Sequence, residues 1–199
     1  MEKTQKVNNI IREEVGIKID MLYRLSQPDN EQVNDHLVFL RKSFIKLQAI
    51  ALDVEKSYEE DDFDSILYLD FPLYECEGIR LSFDALTGTS LIDDVDGDML
   101  CILNDYYGVF NFMRLYVAYM FASAEIWAAD KMINDCSMND KKINHALAKL
   151  NIAKKRNMDV CSNIMIHDYI NAERHLDMCH GFIDMAMKTV NHSVTDLYQ

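Results

Sequence analysis

Apolar residues recur along this chain at alternating steps of four and three, and such a repeat forms one continuous stripe only on an α-helix. Val33, Leu37, Leu40, Phe44, Leu47, Ala51, Val54 and Tyr58 keep the rhythm without a miss. It returns near the carboxyl end in Met165, Tyr169, Ala172, Leu176, Cys179, Ile183, Ala186 and Val190. Two long amphipathic helices follow from these stripes. Between them, residues 99–135 carry two adjacent seams. One runs through Leu103, Tyr107, Phe110, Val117, Phe121, Ala124 and Ala128, the other through Met99, Ile102, Tyr106, Val109, Met113, Tyr116, Met120 and Trp127. A helix that is apolar over most of its circumference must be surrounded by others, so residues 98–135 are expected to form a buried central helix.

Shorter signals fill in the rest. Val7, Ile11, Val15, Ile19 and Leu22 mark an amino-terminal helix ending before Gln27-Pro28. Pro72 stands where a helix could begin, with Asp70 before it as a cap, and Gly88 stands where that helix would end. A shorter helix is expected from Ile143 to about Arg156, after Asn139-Asp140. With 49% hydrophobic and 27% charged residues, 6 Gly and 2 Pro, the chain can bury a core and is neither a disordered tail nor a collagen-like fibre. It shows no strand-like alternation, internal repeat or composition break. The expected fold is all-α, a single helical bundle of about six helices occupying residues 1–199 as one domain.

The most apolar stretch leaves only the ten residues Leu115 to Ala124 between Arg114 and Glu125, too short to cross a bilayer. The opening residues, Met1 to Lys6, lack the apolar segment of a signal peptide, so the expected compartment is the cytoplasm. The cysteines, Cys76, Cys101, Cys136, Cys161 and Cys179, are odd in number, widely spaced and never in a C-x-x-C pair. That argues against a disulfide framework and a structural zinc site, and they are read as reduced, mostly buried thiols.

Charge is far from evenly spread. Residues 1–56 hold 9 basic and 9 acidic side chains, residues 114–199 hold 10 and 10, and residues 57–113 hold 1 and 14. The whole formal net charge of −13 therefore lies in the middle stretch, concentrated at Glu59, Glu60, Asp61, Asp62, Asp64 and at Asp93, Asp94, Asp96, Asp98. An excess of this sign disfavours direct nucleic-acid or anionic-membrane binding; it is read either as a solvated face kept for solubility or as a docking surface for a basic protein partner. A homodimer is also compatible with the sequence. Aspartates before a helix cap its N–H groups, which accounts for two or three of these carboxylates but not for all of them. Calcium binding fails the EF-hand pattern, since Gly97 at the sixth loop position puts Ile92 first and Leu103 twelfth.

Three further groupings bear on chemistry. Glu173, Asp177, His180 and Asp184 share one helical face, but a di-iron bundle needs a second E-x-x-H and two more glutamates. The set is incomplete, and neither metal nor cofactor is expected. Arg114 and Glu125 lie three turns apart on the most apolar helix and are read as buried charges that need partners, either in a structural ion pair with a neighbouring helix or, for one of them, in a functional cleft. Met178, Met185 and Met187 are core filler or the lining of a partner groove. There is no G-x-S-x-G and no phosphate-cradling glycine loop.

Arg174 and His180, six residues apart in Arg174-His175-Leu176-Asp177-Met178-Cys179-His180, resemble the R-x(4–6)-H motif of the HEPN superfamily of all-α ribonucleases. That resemblance implies a metal-independent RNase, with the histidine in acid/base transfer, the arginine on the phosphate and two copies joined in a dimer. The titration range of imidazole and the fixed fork of guanidinium suit such roles. A looser likeness, through Phe83 to Gly88, Ser90 to Asp94 and Leu100, Leu103, Tyr106 and Tyr107, is to uncharacterised bacterial helical domains, and it implies architecture only. The reading favoured over the ribonuclease is a non-catalytic interaction protein, a regulator, inhibitor or immunity-type protein. Its acidic 57–113 surface would dock on a basic patch and act as a phosphate mimic where that patch binds nucleic acid.

Overall fold

A computed structural model describes residues 31–88, 97–136 and 140–195. Within them the chain is an all-α helical bundle of six helices: α1 Glu31–Glu59, α2 Phe63–Tyr68, α3 Leu73–Thr87, α4 Gly97–Asp135, α5 Asp140–Met165 and α6 Tyr169–Thr195. The amino-terminal segment expected to be helical lies outside the described residues, as do Asp93, Asp94 and Asp96. Packing divides the chain into two compact units, residues 1–53 with 72–114 and residues 54–71 with 115–199.

In the first unit the α1 stripe is buried as its spacing requires, with Leu40, Phe44 and Leu47 at 1% exposure or less. Tyr106 of α4 packs its ring 4.8 Å from that of Phe44. Its hydroxyl donates to the Leu40 carbonyl at 2.9 Å, so the largest buried side chain in the unit carries no orphaned polar group. Ile79 and Leu86 of α3 complete this core. The α3 helix starts after Pro72, which has no side-chain cap, and stops at Gly88. Asp70 does not cap it; Pro72 occupies the cap position itself. A Cβ at residue 88 would stand 2.7 Å from the Asp84 carbonyl oxygen, so the close approach there requires glycine.

The second unit is built on alanines. Ala122 and Ala129 of α4, Ala146 and Ala153 of α5 and Ala186 of α6 are buried together with Ile126, Leu150 and Ile183, and small side chains at a helix contact let the backbones approach closely. The short α2 adds Ile66 and the ring of Phe63, 5.8 Å from that of Trp127.

Two junctions in this unit use the same device. At the end of α1, Asp61 has φ 56°, the Asp62 N–H donates to the Ser57 carbonyl at 2.8 Å, and Asp62 then caps α2 by accepting from the Ser65 N–H. At the end of α5, His167 has φ 61°, the Asp168 N–H donates to the Asn163 carbonyl at 2.9 Å, and Asp168 then accepts from the Asn171 N–H at 3.2 Å. Each is a Schellman closure with a residue other than glycine in the left-handed position, followed at once by an aspartate cap.

The second junction corrects two expectations. The α5 helix does not stop near Arg156 but runs on to Met165. Met165 therefore belongs to α5, where it is 40% exposed, and is not the first residue of the α6 stripe. The reason is Asn157. The buried stripe of α5 is Ala146, Leu150, Ala153, Asn157, Val160 and Ile164, and its polar member interrupts the apolar pattern just after Arg156. The cysteines also differ from expectation: Cys76 and Cys179 are buried, Cys101 is exposed, and Cys136 and Cys161 are intermediate. Burial pushes the Cys76 thiol up to about 11 and the Cys179 thiol up to about 12, so both stay protonated and unreactive near neutrality.

A candidate interaction surface

The acidic segment at the α1–α2 junction is the most strongly charged feature among the described residues. Glu59 ends α1, Glu60, Asp61 and Asp62 form the turn, and Asp64 lies in the first turn of α2; all five are exposed. Helix electrostatics accounts for only part of the set. Asp62 and Asp64 lie at the amino end of α2, where negative charge is favoured. Two hydrogen bonds from Ser65 hold the Asp62 carboxyl below its usual range. Glu59 and Glu60 lie at the carboxyl end of α1, where the dipole opposes them by some tenths of a kcal/mol each. Nothing in local folding calls for them.

Three other acids of the 57–113 stretch are compensated. Arg80, its one basic residue, reaches Glu77 at 2.6 Å and Asp84 at 3.2 Å. Lys46 reaches Glu75 at 3.4 Å. No ion pair to Glu59, Glu60, Asp61, Asp62 or Asp64 is present among the described residues. Asp98, in the first turn of α4, is exposed and suits that helix's amino end. It belongs to the first unit, whereas residues 59–64 belong to the second.

The residues singled out for catalysis each have a separate engagement. His180 Nδ1 lies 3.0 Å from Glu125 Oε2, and that hydrogen bond raises the imidazole above its ordinary value, with Asp177 and Asp184 adding to it. Arg174 is exposed and donates to Asn171 at 3.3 Å. Six residues along a helix turn the side chain by about 240° from its starting direction, so the two do not share a face. Glu173, Asp177 and Asp184 are exposed. Among the described residues no group of three or more His, Cys, Asp or Glu side chains is arranged to hold a metal ion.

Neither Arg114 nor Glu125 is a buried charge. Arg114 is partly exposed in the first unit, 5.8 Å from the centre of the Phe110 ring and donating to Asn111. The Glu125 side chain is 41% exposed in the second. The end of each long side chain reaches past its apolar neighbours to the surface. Glu55 is the buried acid that sequence reasoning missed, at 1% exposure. Its charge helps raise the Tyr116 hydroxyl, after burial itself. Nearby in the same unit, the Tyr58 and Tyr119 hydroxyls are 3.0 Å apart, and Asn157 donates to the Tyr119 carbonyl at 3.2 Å and to Ser123 Oγ at 2.8 Å. Glu55 follows Val54 on the edge of the α1 stripe. Periodicity gives a stripe's direction but not its width, so the only signal was adjacency.

Among the described residues, no helix is long and apolar enough to cross a membrane. In comparisons with known proteins, the chain matches no family model, no curated protein and no solved structure.

Proposed function

We infer that this chain is a non-catalytic interaction protein, of the regulator, inhibitor or immunity type, which docks a basic protein surface through the acidic α1–α2 junction. The carrying observation is that Glu59, Glu60, Asp61, Asp62 and Asp64 are exposed and uncompensated while Glu75, Glu77 and Asp84 have basic partners. Like charges held together repel, and selection for folding alone would disperse them or pair them. Their value is then at an interface, where a negative patch steers a positive one and fixes its register. Where that basic patch ordinarily holds nucleic acid, the carboxylates occupy the places of phosphates. The working compartment in this reading is the cytoplasm, whose reducing conditions suit cysteines that form no disulfide.

The test is a paired capture from an extract of the source cells, using the wild-type chain and a Glu59→Lys, Glu60→Lys, Asp61→Lys, Asp64→Lys variant. Asp62 is kept because it caps α2. The expected result is a basic protein retained by the wild type, released by moderate salt and lost with the variant. The same proteins retained equally by both chains would overturn the reading.

A further inference from the structure

A concave feature lies in the first unit, between α1 and α3, and owes nothing to the acidic junction. A groove of about 420 Å³ is lined by Asp35, His36, Phe39, Tyr74, Glu77 and Leu81, among others. It meets another of about 390 Å³ that adds Lys42, Ile45 and Lys46 and shares Phe39 and Tyr74. From Asp35 to Lys46 the trough follows eleven residues of α1, about 16 Å at 1.5 Å per residue, the length of about three turns of a second helix.

The floor is shaped by one small residue. A Cβ on Gly78 would stand 2.5 Å from the edge of the Phe39 ring, so the ring approaches α3 this closely only because residue 78 has no side chain. On the wall, His36 Nδ1 and Ser82 Oγ are 3.3 Å apart, so the imidazole has a partner on α3. The rim is apolar and exposed: Tyr74 is 72% exposed, Leu81 54% and Ile45 51%. Large apolar side chains gathered at a concave site, with polar groups at its ends, mark a surface that is covered in use.

Charge identifies the cover. Asp35 and Glu77 stand in one half of the trough and Lys42 and Lys46 in the other, and Asp35 and Lys42 have no ion-pair partner among the described residues. Glu77 and Lys46 do have partners, Arg80 and Glu75, but these are exposed pairs that exchange at little cost. We propose that the α1–α3 groove binds an amphipathic helix of a partner protein, with apolar side chains one or two turns apart in its two halves, a basic residue over Asp35 and an acidic residue over Lys42. This is helix-in-groove recognition. It stands independently of the acidic junction, because the two sites belong to different units and use different residues.

A phage-displayed library of helix-constrained peptides, selected against the whole chain, tests it. The recovered peptides are expected to share the apolar pair with a base at one end and an acid at the other. Synthesised, the best of them should bind Leu81→Lys at least ~30-fold more weakly, the loss typical of a central interface contact. Gly78→Ala, which drives the Phe39 ring into the trough, should weaken it too. Both variants should keep the wild-type helical circular dichroism, since Leu81 points to solvent and Phe39 has open space to enter. Binding should persist in the Glu59, Glu60, Asp61, Asp64 charge-reversal variant, which separates this site from the acidic one. The proposal is overturned if no peptide is recovered, or if peptides bind both groove variants as well as wild type. It is also overturned if the groove mediates self-association that Leu81→Lys abolishes, since the occupant would then be a second copy.

Discussion

Two side chains with opposite jobs stand side by side at the α5–α6 junction. His167 occupies the left-handed region, which costs a residue with a Cβ about 1 kcal/mol relative to glycine. Asp168 then caps the next helix. His167→Gly should therefore raise stability by about 0.5–1 kcal/mol, offset in part by the greater freedom of glycine in the unfolded chain. Asp168→Ala should lower stability by about 1 kcal/mol. Urea unfolding of both variants reads the two signs, and a destabilised His167→Gly would mean that its ring, bonded to the Tyr169 hydroxyl at 2.8 Å, holds the turn. Glu125 and His180 give a pH-dependent case. The imidazole is raised by its hydrogen bond to Glu125 and by Asp177 and Asp184, so its contribution is fully present below the unfolded value of about 6.5. It fades as pH rises through the higher folded value. Both side chains are about two-fifths exposed, which limits the pair to at most about 1 kcal/mol. The stability difference between wild type and Glu125→Gln should shrink from pH 6 to pH 8.5, and a constant difference would show that the pair is not charged in the native state.

Helices whose stripes are apolar throughout were legible from spacing alone, and those with one polar member were not. The α1 stripe from Val33 to Val54 is buried where the steps of four and three put it, and so is the α6 stripe from Ala172 to Val190 except Leu176, which is partly buried. The exception is α5. Asn157, 4% exposed, sits on its stripe because Ser123 and the Tyr119 carbonyl of α4 accept its two amide donations, and a pattern read by hydropathy cannot anticipate partners on another helix. The short α2 was missed for a different reason. Six residues are too few for a periodicity to declare itself, and its start signal, Asp62, was submerged in a run of other acids. Asn157→Leu should change stability by less than about 1.5 kcal/mol, since it removes two donations together with an Oδ1 that has no hydrogen-bond partner. Asn157→Asp should cost about 3 kcal/mol or more, because it places a carboxylate beside a carbonyl oxygen in the core. Equal effects of the two substitutions, read from unfolding midpoints, would show that volume rather than polarity governs the site.

At the scale of the whole chain, sequence established the class of fold and the location of the charge, and left the use of that charge to be argued. An apolar-rich central helix and a negative excess confined to residues 57–113 are both arithmetic. Which acids are already paired is geometry. Arg80 cannot be matched to Glu77 and Asp84 until α3 is in place, and only then does the run Glu59, Glu60, Asp61, Asp62 and Asp64 stand out as a cluster without ion pairs among the described residues. Arg114 and Glu125 show the converse, since their place on the most apolar helix suggested burial but their length brings both to the surface. The most direct measurement is the salt dependence of binding between the purified partner and the chain, for wild type and for the Glu59→Lys, Glu60→Lys, Asp61→Lys, Asp64→Lys variant, across about 50 to 300 mM salt, where the screening length shortens from about 14 Å to about 6 Å. The wild type should lose affinity steeply as salt rises, and the variant should bind weakly with a flattened or reversed slope. Equal affinity and equal slope in the two chains would contradict docking through the acidic junction.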